Sequence, residues 1–298
     1  MQRYFMTLRD ISLLCGLISS LGSVDCGLVD STRAVATPAV GLNRTRVALG
    51  GPVEMSYRFT VAADAPPFAE DFRVFVHFLD SNGELMFSDD HDPPEPTTSW
   101  QPGQQIGYDR RLIIPVYPYL GEATVVIGLH EPTGGKRVPL AGEHLGGREY
   151  RVATIEMTPP TESVFLVFGD GWYPAESVPE EPDREWQWTS RQATLSFSNP
   201  HAASTLHLDV QGRPELFDTP QVLTLTIGGA VVKTIELASV EPAYHVVPLS
   251  SSALGDTENV VLSLNVDPTF VPSMVTNGES SDDRELGAKV FYAFVELD

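Results

Sequence analysis

The segment FRVFVHFLDSNGELMFSDDHDPPEPTTSW, residues 72–100, decides the fold of this chain. Residues 72–79 are apolar at nearly every position and rich in aromatic and β-branched side chains, which is typical of a strand buried on both faces. Asn82-Gly83 is the strongest short-range signal for a tight hairpin turn, and Leu85 begins the returning strand. The segment therefore predicts a buried β-hairpin at the centre of a sheet.

Strand signals separated by turn residues recur on both sides of this hairpin. Over residues 51–157, about seven such signals predict an immunoglobulin-like β-sandwich. Over residues 161–298, eight or nine predict a jelly-roll-like β-sandwich, with at most one short helical turn in each sandwich. The predicted fold is all-β: two β-sandwich domains that follow an N-terminal segment, residues 1–26, and a linker, residues 27–50.

The N-terminal segment has the layout of an export signal. Arg3 and Arg9 precede an uncharged apolar run, residues 11–24, which is shorter than the roughly 17–25 residues of a membrane-spanning helix. Two hypotheses stay open: a cleaved signal peptide, or a retained anchor. Cys26 is a candidate lipidation site, although Asp25 before it is unfavourable. The candidate anchor residues are Ile11, Leu13, Leu14, Leu17, Ile18 and Leu21.

Charge and cysteine content exclude several classes of function. The net charge is −21, and residues 161–298 hold six Lys and Arg against 21 Asp and Glu. No basic patch is visible, so nucleic acid is not an expected partner. Both cysteines, Cys15 and Cys26, precede the predicted sandwiches, which excludes a disulfide or a cysteine metal site within them.

An acidic, proline-rich loop follows the hairpin. Asp89, Asp90 and Asp92 surround His91, and carboxylate oxygens of this kind suit Ca²⁺. Their spacing fits no EF-hand, and the prolines stiffen the loop. We therefore predict a solvated acidic loop and keep the three aspartates as weak metal candidates.

No catalytic motif is present in the sequence. We find no Gly-x-Ser-x-Gly elbow, no His-Glu-x-x-His and no phosphate-binding Walker loop. The sequence predicts no catalytic residues, no cofactor and no enzymatic activity.

Four aromatic residues form the main candidate for a ligand or partner surface: Trp172, Tyr173, Trp186 and Trp188. Trp186 and Trp188 are two positions apart, so on a strand both point to the same side. They are either a stacking platform for a sugar or a protein partner, or ordinary core packing. The direction in which the four rings point distinguishes these alternatives.

Loose motifs in both halves resemble the periplasmic β-sandwich modules found beside bacterial membrane glycosyltransferases, and their carbohydrate-binding-like companions. The resemblance implies a fold more than an activity, and the membrane glycosyltransferase part itself is absent. The motifs lie at residues 75–80, 89–94, 100–103 and 128–129 in the first half, and at residues 171–173, 186–188, 270–272 and 283–287 in the second.

The sequence therefore predicts a non-catalytic, exported or membrane-tethered extrinsic subunit that supports a membrane-associated assembly. Its predicted partner is a membrane protein complex, contacted through the N-terminal segment and the β domains. The predicted location is the periplasmic side of a bacterial membrane. The alternative is a carbohydrate-binding protein, periplasmic or secreted, with a glycan as its ligand.

Overall fold

The computed structural model describes residues 33–179, 181–276 and 279–298, and only the backbone of residues 181–183. Its strands form two β-sandwiches, so the predicted all-β fold is confirmed. The predicted leader and Cys26 lie outside the described residues. In the part of the chain that is described, no helix is long and apolar enough to cross a membrane.

The first sandwich contains nine strands in two sheets. One sheet has the order β1-β3-β6, and the other has the order β2-β9-β7-β4-β5, with β8 paired to β9. The strands are β1 Ala36–Leu42, β2 Arg46–Ala48, β3 Pro52–Val61, β4 Arg73–Leu79, β5 Leu85–Ser88, β6 Gln105–Ile113, β7 Gly121–His130, β8 Glu143–Gly146 and β9 Glu149–Thr158.

Strands β1 and β2 lie within the stretch that the sequence assigns to a linker, so that prediction is wrong for these residues. β1 pairs with β3 along its whole length, from Ala36–Val61 to Leu42–Met55. Its small residues and Pro38 conceal the strand pattern in the sequence. Pro38 is tolerated because β1 is an edge strand, whose free side needs no backbone donor.

The predicted hairpin is confirmed as β4 and β5, with β4 hydrogen-bonded between β5 and β7. The rings of Phe78 and Phe87 stack across it at 4.4 Å. The acidic loop is less solvated than expected, because His91 exchanges two backbone hydrogen bonds of 2.9 Å with Val74 and is 5% exposed. Trp100, which is 2% exposed, holds the end of the loop, because its indole N–H donates to the Glu95 carbonyl.

The second sandwich contains ten strands in two five-stranded sheets. Their orders are β10-β13-β18-β15-β16 and β11-β12-β19-β14-β17. The strands are β10 Val167–Phe168, β11 Glu176–Val178, β12 Glu181–Trp188, β13 Gln192–Ser198, β14 Ser204–Gln211, β15 Gln221–Ile227, β16 Ala230–Leu237, β17 Ala243–Leu249, β18 Asn259–Asp267 and β19 Lys289–Leu297.

Short helices connect some of these strands. The first sandwich has one 3₁₀ turn, Thr97–Ser99, and another, Pro160–Glu162, lies at the boundary between the two sandwiches. The second has a 3₁₀ turn at Pro214–Leu216 and two four-residue helices, α1 Ser251–Leu254 and α2 Pro272–Val275. The expectation of one helical turn per sandwich is therefore wrong for the second, where proline and serine residues start each of the three turns.

The two sandwiches pair strands within themselves, and we propose that they are separate domains. They touch through the outer face of the sheet that contains β14, β17 and β19. The Tyr292 hydroxyl donates to the Gly50 carbonyl at 2.6 Å, and Arg44 pairs with Glu296. The guanidinium of Arg111 lies 3.7 Å from the ring centre of Tyr244. On this sheet, the contacts are made by residues of β17 and β19.

Candidate functional site

A cleft opens on the second sandwich where β12 and β19 diverge. Among the described residues the two strands pair at Gln187–Val290 and Trp188–Lys289, and β12 then continues alongside β11. The cleft has a volume of about 260 Å³. It is lined by Phe168, Ala175, Glu185, Trp186, Gln187, Val290, Phe291, Tyr292 and Ala293.

A β-bulge in β19 shapes this cleft. The register between β14 and β19 shifts between Asp209 and Val210, which pair with Tyr292 and Val290, so Phe291 has no direct partner on β14. Bulges change the direction of a side chain and increase the local twist of a strand. Phe291 is thereby half-buried in the cleft wall instead of in the core.

Trp186 is the central aromatic residue of the cleft. Its ring is half-buried, and its centre lies 5.9 Å from that of Phe291. The ammonium of Lys289 lies 4.2 Å from the centre of the Trp186 ring. The indole N–H is buried with no acceptor among the described residues. The ring is therefore held by packing and a cation–π contact, with no hydrogen bond to fix it.

The other three predicted aromatic residues have structural contacts. Trp188 is 5% exposed and packs edge-on against Phe270 at 5.6 Å. The Trp172 indole N–H donates to the Thr194 carbonyl at 2.7 Å, and its ring packs against the main core of the second sandwich. The Tyr173 hydroxyl donates to the Glu285 carbonyl at 3.0 Å. Of the four, Trp186 lines the cleft.

Gly171 allows the segment before β11 to approach β13 closely. Its φ is +83°, and a Cβ at this position would lie 1.9 Å from the Gln192 carbonyl oxygen. The Gly171 carbonyl accepts from the Ser190 N–H at 2.8 Å. A glycine is therefore required here to place Trp172 and Tyr173 beside β12.

Basic side chains surround the aromatic cluster. Arg284 pairs with Asp282 at 2.7 Å and with Glu176 at 2.8 Å. Burial lowers the pKa of the Lys289 ammonium, and the charge of Arg213 lowers it further. In the described residues, Lys289 has no ion pair, and its ammonium contacts the faces of Trp186 and Trp188.

The candidate metal ligands are engaged by different partners in the first sandwich. Asp89 pairs with Arg110 at 2.9 Å and Asp92 with Arg73 at 3.0 Å. Asp90 accepts from the Val76 N–H at 3.2 Å. Within the described ranges, no group of three or more His, Cys, Asp or Glu side chains is arranged to hold a metal ion.

Sequence analysis missed Phe291 and Phe168 as cleft residues. Residues 290–297 show an apolar strand, but an apolar strand gives no sign of where a bulge will turn a side chain outward. Phe168 lies at the end of β10 and is 41% exposed. The available signal was the density of aromatic residues in residues 290–294, which exceeds what one sandwich strand needs for its inner face.

No protein-family model and no curated protein matches the chain. Among solved structures, similarities of TM-score 0.25–0.29 are found. The alkylpurine DNA glycosylase AlkC of Pseudomonas fluorescens, bound to DNA with an abasic site analog, has 17% identity and a TM-score of 0.26. The match covers 40% of this chain and 30% of that protein, so the chain spans less than a third of its length.

Two further similar structures are carbohydrate-binding proteins by name. A CBM36-1 domain of a xylanase from the hindgut metagenome of Trinervitermes trinervoides has 12% identity and a TM-score of 0.29, covering 46% of this chain and 98% of the domain. SGBP-B of the Bacteroides ovatus mixed-linkage glucan utilization locus, in complex with a heptasaccharide, has 12% identity and a TM-score of 0.28, covering 87% and 53%. At TM-scores this low, the similarities carry no argument about function.

Proposed function

We propose that this protein is a non-catalytic carbohydrate-binding protein and that the cleft between β12 and β19 holds the sugar. The observation that carries this proposal is the half-buried pair Trp186 and Phe291 in a cleft that also presents polar side chains. It corresponds to the predicted alternative function, and Trp186 is the predicted aromatic residue that supports it.

The lining of the cleft suits the two kinds of surface on a sugar. The C–H faces of a pyranose ring are apolar and pack against aromatic rings, as Trp186 and Phe291 provide. Sugar hydroxyls need donors and acceptors, and the cleft presents the Gln187 amide and the Glu185 carboxylate. A mainly apolar wall with a few polar groups is the usual composition of a small-molecule site.

The volume of the cleft limits the size of the ligand, and the number of its carboxylates bears on whether the ligand is cleaved. Its volume of about 260 Å³ lies just below the roughly 300 Å³ at which small-molecule pockets usually begin, so we expect it to hold one sugar unit. Glycoside hydrolysis normally needs a pair of carboxyl groups on either side of the scissile bond. Among the described lining residues, Glu185 is the single carboxylate, which supports binding without cleavage.

A glycan array probed with the full chain tests this function. We expect the protein to bind at least one class of glycan, and Trp186→Ala to weaken that binding about tenfold or more, because stacking on an aromatic ring is lost. Phe165→Ala is the matched control, since Phe165 is an aromatic residue of the same sandwich that is 79% exposed and does not line the cleft.

Two results would contradict the proposal. The first is that no glycan on the array binds. The second is that a glycan binds and that Trp186→Ala, with its fold verified by circular dichroism, leaves its affinity unchanged.

A further inference from the structure

The basic residues of the second sandwich are few, and most of them lie over aromatic rings. Residues 161–298 hold six Lys and Arg against 21 Asp and Glu. Four of the six lie over aromatic rings of this region. They are Arg184 over Phe291 at 5.2 Å, Lys289 over Trp186 at 4.2 Å, Arg284 over Tyr173 at 5.0 Å and Arg213 over Phe270 at 5.7 Å.

Nearby carboxylates neutralise two of these four cations. Arg284 is paired with Asp282 and Glu176, and Arg213 is paired with Glu215. The two carboxylates whose charge acts on Lys289 are Glu176 and Glu215. Both are already paired with these arginines.

Lys289 differs from both arginines. Its ammonium is half-buried between the faces of Trp186 and Trp188, at 4.2 and 5.2 Å from their centres, and no carboxylate pairs with it among the described residues. A buried cation without a counter-ion is unfavourable, which is the reason that its pKa is lowered. An anion that binds beside Trp186 would restore the missing partner.

We propose, building on the carbohydrate-binding function above, that the sugar in the cleft is anionic and that Lys289 recognises its carboxylate or sulfate group. The sugar ring lies against Trp186 and Phe291, and its negative group extends past Trp186 toward the ammonium of Lys289, which lies beside the cleft and not among its lining residues. The Glu185 carboxylate repels an anion, so the negative group of the sugar does not lie on the Glu185 side of the cleft.

Two matched pairs of polysaccharides, presented to the full chain, test this inference and separate the two anions. Polygalacturonate is compared with its methyl ester, and dextran sulfate with dextran. We expect one charged member to bind about tenfold or more tightly than its neutral partner, the scale of a charge-assisted hydrogen bond. Because the whole protein carries a net charge of −21, non-specific attraction of a polyanion would not produce this result.

Variants at the cleft locate the effect. Lys289→Met keeps an unbranched side chain against the two tryptophans, and we expect it to remove the preference for the charged polysaccharide. Lys289→Arg keeps the charge and should keep the preference, which separates loss of charge from loss of fold. Lys233→Met is the control: Lys233 is an exposed lysine of β16 outside the cleft lining, and this variant should keep the preference of the wild type.

The outcomes distinguish this inference from the function on which it rests. Equal affinity for charged and neutral members, or an unchanged preference in Lys289→Met, would overturn the anionic ligand and leave carbohydrate binding in place. An absence of binding to these four polysaccharides and to the whole glycan array would overturn both.

Discussion

At the residue scale, the proposed function rests on the difference between Trp186 and Trp188. Both lie on β12 and on the same side of it, as their spacing predicted. Trp188 pairs with Lys289 where β12 and β19 are hydrogen-bonded, and it is buried against Phe270. Trp186 lies two residues earlier, where the strands diverge, and it is half-buried in the cleft wall. The end of strand pairing therefore separates a packing residue from a candidate binding residue.

Gly171 is the backbone position on which this aromatic region most depends. We expect Gly171→Ala to lower the free energy of unfolding by about 2–4 kcal/mol, because it combines a positive φ with a backbone clash. Gly83→Ala is the matched control: its φ is +79°, but nothing lies within 4 Å of an added Cβ. That variant should lose about 1–2 kcal/mol, the cost of the backbone conformation alone.

Urea unfolding of the two glycine variants measures both effects. If both variants lost the same free energy of unfolding, the contact of an added Cβ at position 171 with β13 would not be destabilising. The conclusion that a glycine is required at this site would then be wrong.

The sequence indicated which residues are candidates better than it indicated whether their side chains are buried or exposed. The aromatic cluster was visible as a residue pattern. The burial of Trp172 and Trp188 was not, because it depends on contacts with Thr194 and Phe270, which are distant in the chain. His91 was expected in a solvated loop and is buried, because its backbone extends the pairing of β4.

At the scale of the elements, strands with a regular pattern were predicted well, and the edge strand β1 was not. β4 and β7 are apolar on both faces and were found from sequence, and so was the turn at Asn82-Gly83. β1 was missed because a seven-residue edge strand containing Pro38 has no apolar run. The bulge at Phe291 was missed because its cause lies in the pairing with β14, which no local pattern encodes.

The contact of β19 with the first sandwich gives a pH-dependent prediction. Burial would raise the pKa of the Glu296 carboxyl, but hydrogen bonds from His207, at 2.7 Å, and from Arg44 outweigh it, and the pKa is lowered. A carboxyl with a lowered pKa in the folded state stabilises the protein above its unfolded pKa. This stabilisation is lost as the pH falls through the folded pKa.

We therefore expect Glu296→Gln to reduce the free energy of unfolding by about 1–3 kcal/mol at neutral pH, because Arg44 loses the carboxylate that pairs with it. The difference from the wild type should shrink as the pH falls below about 4. Urea unfolding at several pH values measures it. Glu84→Gln, at the exposed hairpin turn, is the control and should have no effect. A difference that does not change with pH would contradict the assignment.

At the scale of the whole molecule, the fold class followed from the spacing of strand and turn signals. The arrangement of the two sandwiches did not, since it depends on contacts such as Tyr292 with Gly50 and Arg111 with Tyr244. These contacts are made by residues of β17 and β19, and Tyr292, which makes one of them, also lines the cleft. The first sandwich thereby limits where a ligand can approach this sheet.

The predicted association with a membrane assembly stays a prediction. The residues on which it rests, the apolar run 11–24 and Cys26, lie outside the described residues. The cleft is formed by described residues of the second sandwich alone, so its proposed function does not depend on whether the leader is cleaved, lipidated or retained.

The tryptophan indole signals of the full chain test the central claim most directly. The chain has four tryptophans, and ¹H–¹⁵N spectra can assign their indole N–H signals through single variants. We titrate the protein with the shortest oligosaccharide that binds on the array. The indole signal of Trp186 should shift most, and that of Trp100, buried in the first sandwich, should stay in place. A Trp186 signal that does not move at saturating oligosaccharide would contradict the proposed site.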